Sequence, residues 1–203
     1  MSADEARVAI AAAAARFGFS ATPRFDAELL MAHALGMERS ALLLDLDRPT
    51  PPGFAALVER RMRHEPIAYI TGTRGFWTLD LAVGPGVLVP RADSETLIEA
   101  AIAHFAGRAP ARILDLGTGP GTLLLAALTH WPGADGMGID ASPAALAYAR
   151  RNADALGIAR AAFRLGDWAT GIEGRFDLIL ANPPYIGTDE PLPAEVRDHE
   201  PAE

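Results

Sequence analysis

The sequence predicts an α/β protein: a small N-terminal helical bundle, a β-hairpin linker, then a parallel sheet. Three observations carry this. Residues up to Pro66 show helical spacing, caps and breakers. The next stretch switches to short apolar runs punctuated by Gly72, Gly75, Gly84 and Gly86, a strand-and-turn texture. After Pro110, apolar strands alternate with helical segments, which implies a parallel sheet with right-handed crossovers.

The elements follow in order. Ser2 followed by Glu5 resembles a capping box, and an alanine-rich helix runs from there to Phe17, with Gly18 as its stop. A second helix spans 23–35, placing Phe25, Leu29, Leu30 and Ala34 near one face, and Gly36 ends it. A short third helix covers 39–46. The stretch from Arg48 to Gly53 breaks the pattern, and a fourth helix carries Phe54, Leu57, Val58 and Met62 as far as Pro66. Residues 67–71 and 77–83 read as strands, and 94–105 as a helix. Then come strand 112–116, helix 122–130, strand 137–140, helix 143–156, strand 162–165 and the strongly apolar strand 176–181.

Composition removes several classes of function. The chain has 203 residues, half of them apolar, enough for a sizeable core in one large or two small domains. All 18 cationic residues are Arg, so a Walker A lysine and a Schiff-base lysine are excluded. The absence of Cys excludes a disulfide framework, zinc ribbons and a thiol nucleophile. No apolar run reaches the roughly 18–20 residues of a membrane span, and the acidic start lacks signal-peptide order, so a cytoplasmic protein is expected. The net charge of −8 argues against a duplex-binding face. The one local cationic cluster, Arg60, Arg61 and Arg63, reads as a solvated helix face.

Four features could carry chemistry. The first is Asp115 through Gly121 (Asp-Leu-Gly-Thr-Gly-Pro-Gly), which follows a strand and opens a helix. Glycines there permit a tight turn and close approach of backbone N–H groups to a ligand. The spacing is G-x-G-x-G rather than G-x-G-x-x-G, which favours a nucleoside cofactor other than a dinucleotide; a plain turn is the alternative. The second is Asp140, at the end of the next strand, placed to accept hydrogen bonds from two ribose hydroxyls or to cap the following helix. The third is Asp167 beside Trp168, an acid and a flat face suited to an adenine, or else a core tryptophan. The fourth is Asn182-Pro183-Pro184-Tyr185, directly after the last strand. Two prolines stiffen that turn and present an Asn side chain and a free carbonyl, acceptors for the two hydrogens of a planar amino group. The five His lack metal-ligand spacing, and no nucleophile elbow is present.

The glycine loop, the ribose acid and Asn-Pro-Pro-Tyr, in that order, resemble class I S-adenosylmethionine-dependent methyltransferases that modify planar amino groups. The segments Glu65 to Gly72 (Glu-Pro-Ile-Ala-Tyr-Ile-Thr-Gly), Phe76-Trp77, Val87 to Glu95 (Val-Leu-Val-Pro-Arg-Ala-Asp-Ser-Glu) and Val196 to Pro201 narrow this. They look like the protein-(glutamine-N5) methyltransferases that act on peptide chain release factors. Two departures are mild: Ala92 where that family usually has Pro, and Ser94 where Thr is usual.

The resemblance implies the following division of labour. Residues 1–73 would form a helical substrate-docking domain, 74–92 a hairpin linker, and 93–203 an incomplete Rossmann-like class I methyltransferase sheet. Gly117, Thr118, Gly119, Pro120 and Gly121 would hold the methionine part of S-adenosylmethionine, Asp140 its ribose, and Asp167 and Trp168 would flank its adenine. Asn182 and the Pro183 carbonyl would accept the hydrogens of the substrate glutamine amide, Pro184 would stiffen the turn, and Tyr185 would pack against the amide. Pro90 and Arg91 would lie near the cofactor entrance. Expected with this are a release-factor partner, a monomer, no metal, no membrane and no stable nucleic-acid binding. The family's sheet has seven strands, and this chain stops at Glu203, before the last three. That leads us to expect a C-terminally truncated chain, with strand 176–181 an exposed edge and activity weak or lost.

Two rivals remain at this point. Asn-Pro-Pro-Tyr also suits the amino groups of RNA or DNA bases, reached by accepting an unpaired or flipped base. The chain could also be an inactive docking fragment.

Overall fold

The computed structural model describes residues 5–183 and 192–201. Two compact units emerge: residues 1–71 with 193–199, and residues 72–192 with 200–203.

The first unit is helical. It contains α1 (Ala6–Arg16), α2 (Pro23–Leu35), α3 (Arg39–Leu44), α4 (Phe54–Met62) and α5 (Ile67–Thr71), with α9 (Ala194–His199) from the far end of the chain. Pro23 opens α2 at a position where its missing N–H costs nothing, and Gly36 closes it in the left-handed conformation at φ 64°. The core gathers Ile10, Phe17, Leu30, Met31, Leu42, Phe54 and Val58.

Three expectations fail here. Residues 67–71 form a helical turn, not a strand: the N–H groups of Tyr69 and Ile70 both donate to the Pro66 carbonyl, at 2.9 and 3.0 Å, and three consecutive residues, Ala68 to Ile70, are buried. A strand would bury alternate ones. The apolar face of α2 is also rotated. Asp26, Ala27, Glu28, Leu30, Met31 and Ala32 are buried, while Phe25 is exposed beneath the Arg39 guanidinium. Arg61 is not solvated. Its guanidinium is buried, donating to Asp26 Oδ2 at 2.8 and 3.0 Å and to Glu195 of α9 at 2.7 Å. Its neighbour Arg60 pairs with Glu65. Ser2, half of the expected capping box, lies outside the described residues, and Glu5 caps α1 without a side-chain hydrogen bond.

The second unit starts with an antiparallel hairpin, β1 (Thr73–Phe76) and β2 (Leu79–Ala82), whose turn holds Trp77 at φ 56°. The expected single strand 77–83 is therefore the second half of a hairpin. Next come α6 (Glu95–Phe105), β3 (Arg112–Leu116), α7 (Thr122–His130), β4 (Asp135–Asp140), α8 (Pro143–Ala155), β5 (Ala161–Leu165) and β6 (Leu178–Ala181). The last four strands form a parallel sheet in the order β5-β4-β3-β6. The chain thus runs outward from β3 to β5, then returns to the other side of β3 with β6. Such a reversal leaves a crevice at the carboxyl ends of β3 and its neighbours, where α/β sheets bind ligands.

Helix α7 is buried through Leu123 to Leu128 and lies against β4 at Gly136, while Gly138 on the same strand face receives the glycine loop. A Cβ on Gly136 would sit 2.7 Å from a Leu124 methyl, and one on Gly138 would sit 2.8 Å from Thr118 Oγ1.

Candidate active site

The glycine loop turns sharply between β3 and α7. The N–H groups of Gly117 and Thr118 both donate to the Ile139 carbonyl at 2.9 Å, folding the loop over the end of β4. Gly117, Gly119 and Gly121 all have positive φ, at 70°, 57° and 87°, a region that side chains strain. This is the physical content of the G-x-G-x-G spacing. A Cβ on Gly117 or Gly119 would meet nothing within 4 Å, so the loop faces open space.

That space is a cleft of about 490 Å³ with a smaller pocket of about 60 Å³ beside it. Leu88, Gly117, Gly119 and Asn182 line both. Asp140, Asp167, Trp168 and Pro183 line the cleft; Thr118, Pro120, Pro90, Arg91 and Asp115 line the small pocket. Gly121 is buried, and the position of its Cβ is already filled by a Leu125 methyl at 2.8 Å, so it serves the packing of the turn. Pro184 and Tyr185 lie outside the described residues.

Asp140 ties two elements together. Its Oδ2 accepts from the Gly119 N–H and its Oδ1 from the Ser142 N–H, both at 2.8 Å. Ser142, not Asp140, caps α8, its Oγ accepting from the Ala145 N–H at 3.2 Å. Trp168 is not a core residue: half its surface is exposed, at φ 49°, and it forms part of the cleft wall. Asn182 leaves the end of β6 with its amide fixed, since Nδ2 donates to Ser94 Oγ at 3.1 Å. Among the described residues nothing donates to the acceptor end of that amide, Oδ1.

Asp115 is a site residue that sequence reasoning passed over, although it stood at the head of the glycine motif. It is buried at the floor of the small pocket. Oδ2 accepts from Thr118 Oγ1 at 2.6 Å and from the Leu124 N–H at 3.3 Å, while Oδ1 has no partner among the described residues. Burial pushes its carboxyl up to about 6, against the pull of the Thr118 and Leu124 donors. The charge on Asp140 adds to the rise. Perturbed acids of this kind cluster at functional sites. In the sequence Ser94 shows only as a departure from a family pattern; its contact with Asn182 links residues far apart in the chain and has no local signal.

A glycine-loop cleft at a switch point, with a carboxylate at the end of the second strand and Asn-Pro-Pro after the fourth, defines a methyltransferase-type α/β domain. Comparison with known families agrees: a methyltransferase domain profile matches residues 108–200, and the PrmC N-terminal domain profile matches residues 8–72. The release factor glutamine methyltransferase of Mycolicibacterium smegmatis is 43% identical over 203 residues, covering 97% of this chain and 72% of that protein. The release factor glutamine methyltransferase of Rhodospirillum rubrum is 52% identical over 169 residues, covering 81% of this chain and 52% of that protein. The chain belongs to the release factor glutamine methyltransferase family. It spans about half to two thirds of the length of several curated relatives. Among solved structures, the T. Thermophilus 16S rRNA N2 G1207 methyltransferase in complex with AdoMet and guanosine matches at TM-score 0.49 and 23% identity, over 64% of this chain and 38% of that one. Among the described residues no helix is long and apolar enough to cross a membrane.

Proposed function

We propose that this chain transfers a methyl group from S-adenosylmethionine to the side-chain amide nitrogen of a glutamine in a peptide chain release factor. The observation that carries the reading is the juxtaposition of Asn182 and Pro183 with the open glycine loop around one cleft. The cleft suits the donor: two unfilled glycine positions at Gly117 and Gly119, a carboxylate at Asp140 for a ribose, and Asp167 with the half-exposed Trp168 for an adenine. When bound, S-adenosylmethionine supplies an electrophilic methyl on a sulfonium.

The residues do the rest by placement. An amide nitrogen shares its lone pair with its carbonyl and is a poor nucleophile. Asn182 Oδ1 and the Pro183 carbonyl accept the two amide hydrogens, which favours positive charge building on nitrogen and holds it in line with the leaving bond. No base is needed before transfer, and the nitrogen sheds its proton to solvent afterwards. Ser94 keeps the Asn182 amide the right way round by taking its Nδ2 hydrogen. On the same reading, residues 1–73 dock the release factor, 74–92 link, and 93–203 carry the transfer.

The test is incubation of the chain with a release factor and S-adenosylmethionine, followed by peptide mass spectrometry. One added methyl on a single glutamine is expected, and Asn182→Ala removes it. Methyl appearing on RNA or DNA instead, with binding that weakens steeply with salt, would overturn the glutamine assignment.

A further inference from the structure

One wall of the cleft and its small pocket is an irregular stretch, Val87 to Arg91. Val87 and Leu88 line the cleft, and Leu88, Pro90 and Arg91 line the small pocket. No strand or helix holds it, so its shape rests on side chains. Arg74 Nε donates to the Pro90 carbonyl at 3.3 Å, and Glu200 holds two further positions. Its carboxylate is almost completely buried; Oε1 accepts from Arg91 Nη2 at 2.7 Å and Oε2 from the Val89 N–H at 3.3 Å. A buried carboxylate is costly unless paired and hydrogen-bonded, and both of its partners belong to this wall. From Arg91 the connection continues inward. The Arg91 carbonyl accepts the Ser94 N–H at 3.1 Å, and Ser94 Oγ accepts Asn182 Nδ2 at the same distance.

We propose that Glu200 is a positioning residue for the reaction, fixing the Val87–Arg91 wall against the methyl donor and, through Arg91 and Ser94, the orientation of Asn182. This rests on the reading of the cleft as the donor site. A merely structural Glu200 would hold the chain end in place without changing how the cleft binds.

Calorimetric titration of the full chain with S-adenosylhomocysteine separates these, using wild type, Glu200→Gln, Arg91→Gln and the double variant, with urea unfolding of each as control. Each single variant is expected to bind about tenfold more weakly, and the double variant no worse than either. Equal affinity in all four proteins overturns the positioning role. So does a loss in the double variant equal to the product of the single losses, or a loss no larger than the unfolded fraction accounts for. Absence of binding by the wild type overturns the donor-site reading itself, and this proposal with it.

Discussion

In the helical unit, Asp26 and Glu28 are buried beside arginines; in the sheet unit, Asp115 is buried beside none. Asp26 accepts from Arg61, Ser20 and Thr22, and Glu28 from Arg24 and Arg39, so every oxygen is engaged. Asp115 keeps one oxygen without a partner among the described residues, and it lines a pocket. The difference separates two uses of buried charge. Where charges pair with each other they lock the chain, helices in the first unit and the Val87–Arg91 wall in the second. Where one is left short of partners, the structure carries an unmet demand that a ligand can fill.

Breaking the lock has the largest expected effect. Asp26→Ala leaves Arg61 buried without its main counter-charge and is expected to cost about 3–5 kcal/mol. Urea unfolding reads this loss, while S-adenosylhomocysteine binding by the remaining folded protein is unchanged.

Asp115 behaves in the opposite sense. Its folded value lies above its ordinary one, so the native state holds the proton more tightly than the unfolded chain does. Stability from this group is greatest below about pH 4 and is lost as pH rises toward about 6. Asp115→Asn removes that slope. Relative to wild type, its unfolding free energy is expected to rise by about 2 kcal/mol between about pH 4 and pH 7, read from urea titrations at both values.

Gly119→Ala isolates the open space from the fold. Its positive φ costs an alanine about 1 kcal/mol, and no atom stands in the way of the added methyl. Stability therefore falls slightly while S-adenosylhomocysteine binding is abolished; an unchanged affinity would show that the loop does not face the donor. The smallest effect belongs to the exposed Arg197–Asp198 pair, where Arg197→Ala is expected to leave the unfolding midpoint unmoved.

The sheet unit was far more legible in the sequence than the helical one. Strand 112–116 and helices 122–130 and 143–155 stand close to where apolar spacing put them, because Gly121, Ser142 and Pro143 announce their starts. Helix 23–35 was equally plain in extent, yet its buried face was misread, because apolarity points to Phe25 while ion pairing draws Asp26 and Glu28 inside. Residues 67–71 failed for a related reason: Ile, Tyr, Ile and Thr favour strands, but the Pro66 carbonyl and burial on consecutive positions make a helical turn. At the site, the glycine loop, Asp140 and Asn182 could be found by local pattern. Asp115 was in view but its orphaned oxygen was not, and Glu200 and Ser94 act through partners distant in sequence.

Gly136 gives α7 its seat, with Leu124 and Leu128 resting on bare backbone of β4, and Gly138 gives Thr118 of the glycine loop the same bare support. At Gly136 the helix-to-sheet separation is set by the Leu124 and Leu128 side chains lying directly on bare main chain. Any residue larger than glycine at position 136 acts as a wedge against Leu124 and Leu128 of α7. Since that helix begins where the glycine loop ends, the wedge would retune the depth of the small pocket from a position that lines neither the pocket nor the cleft.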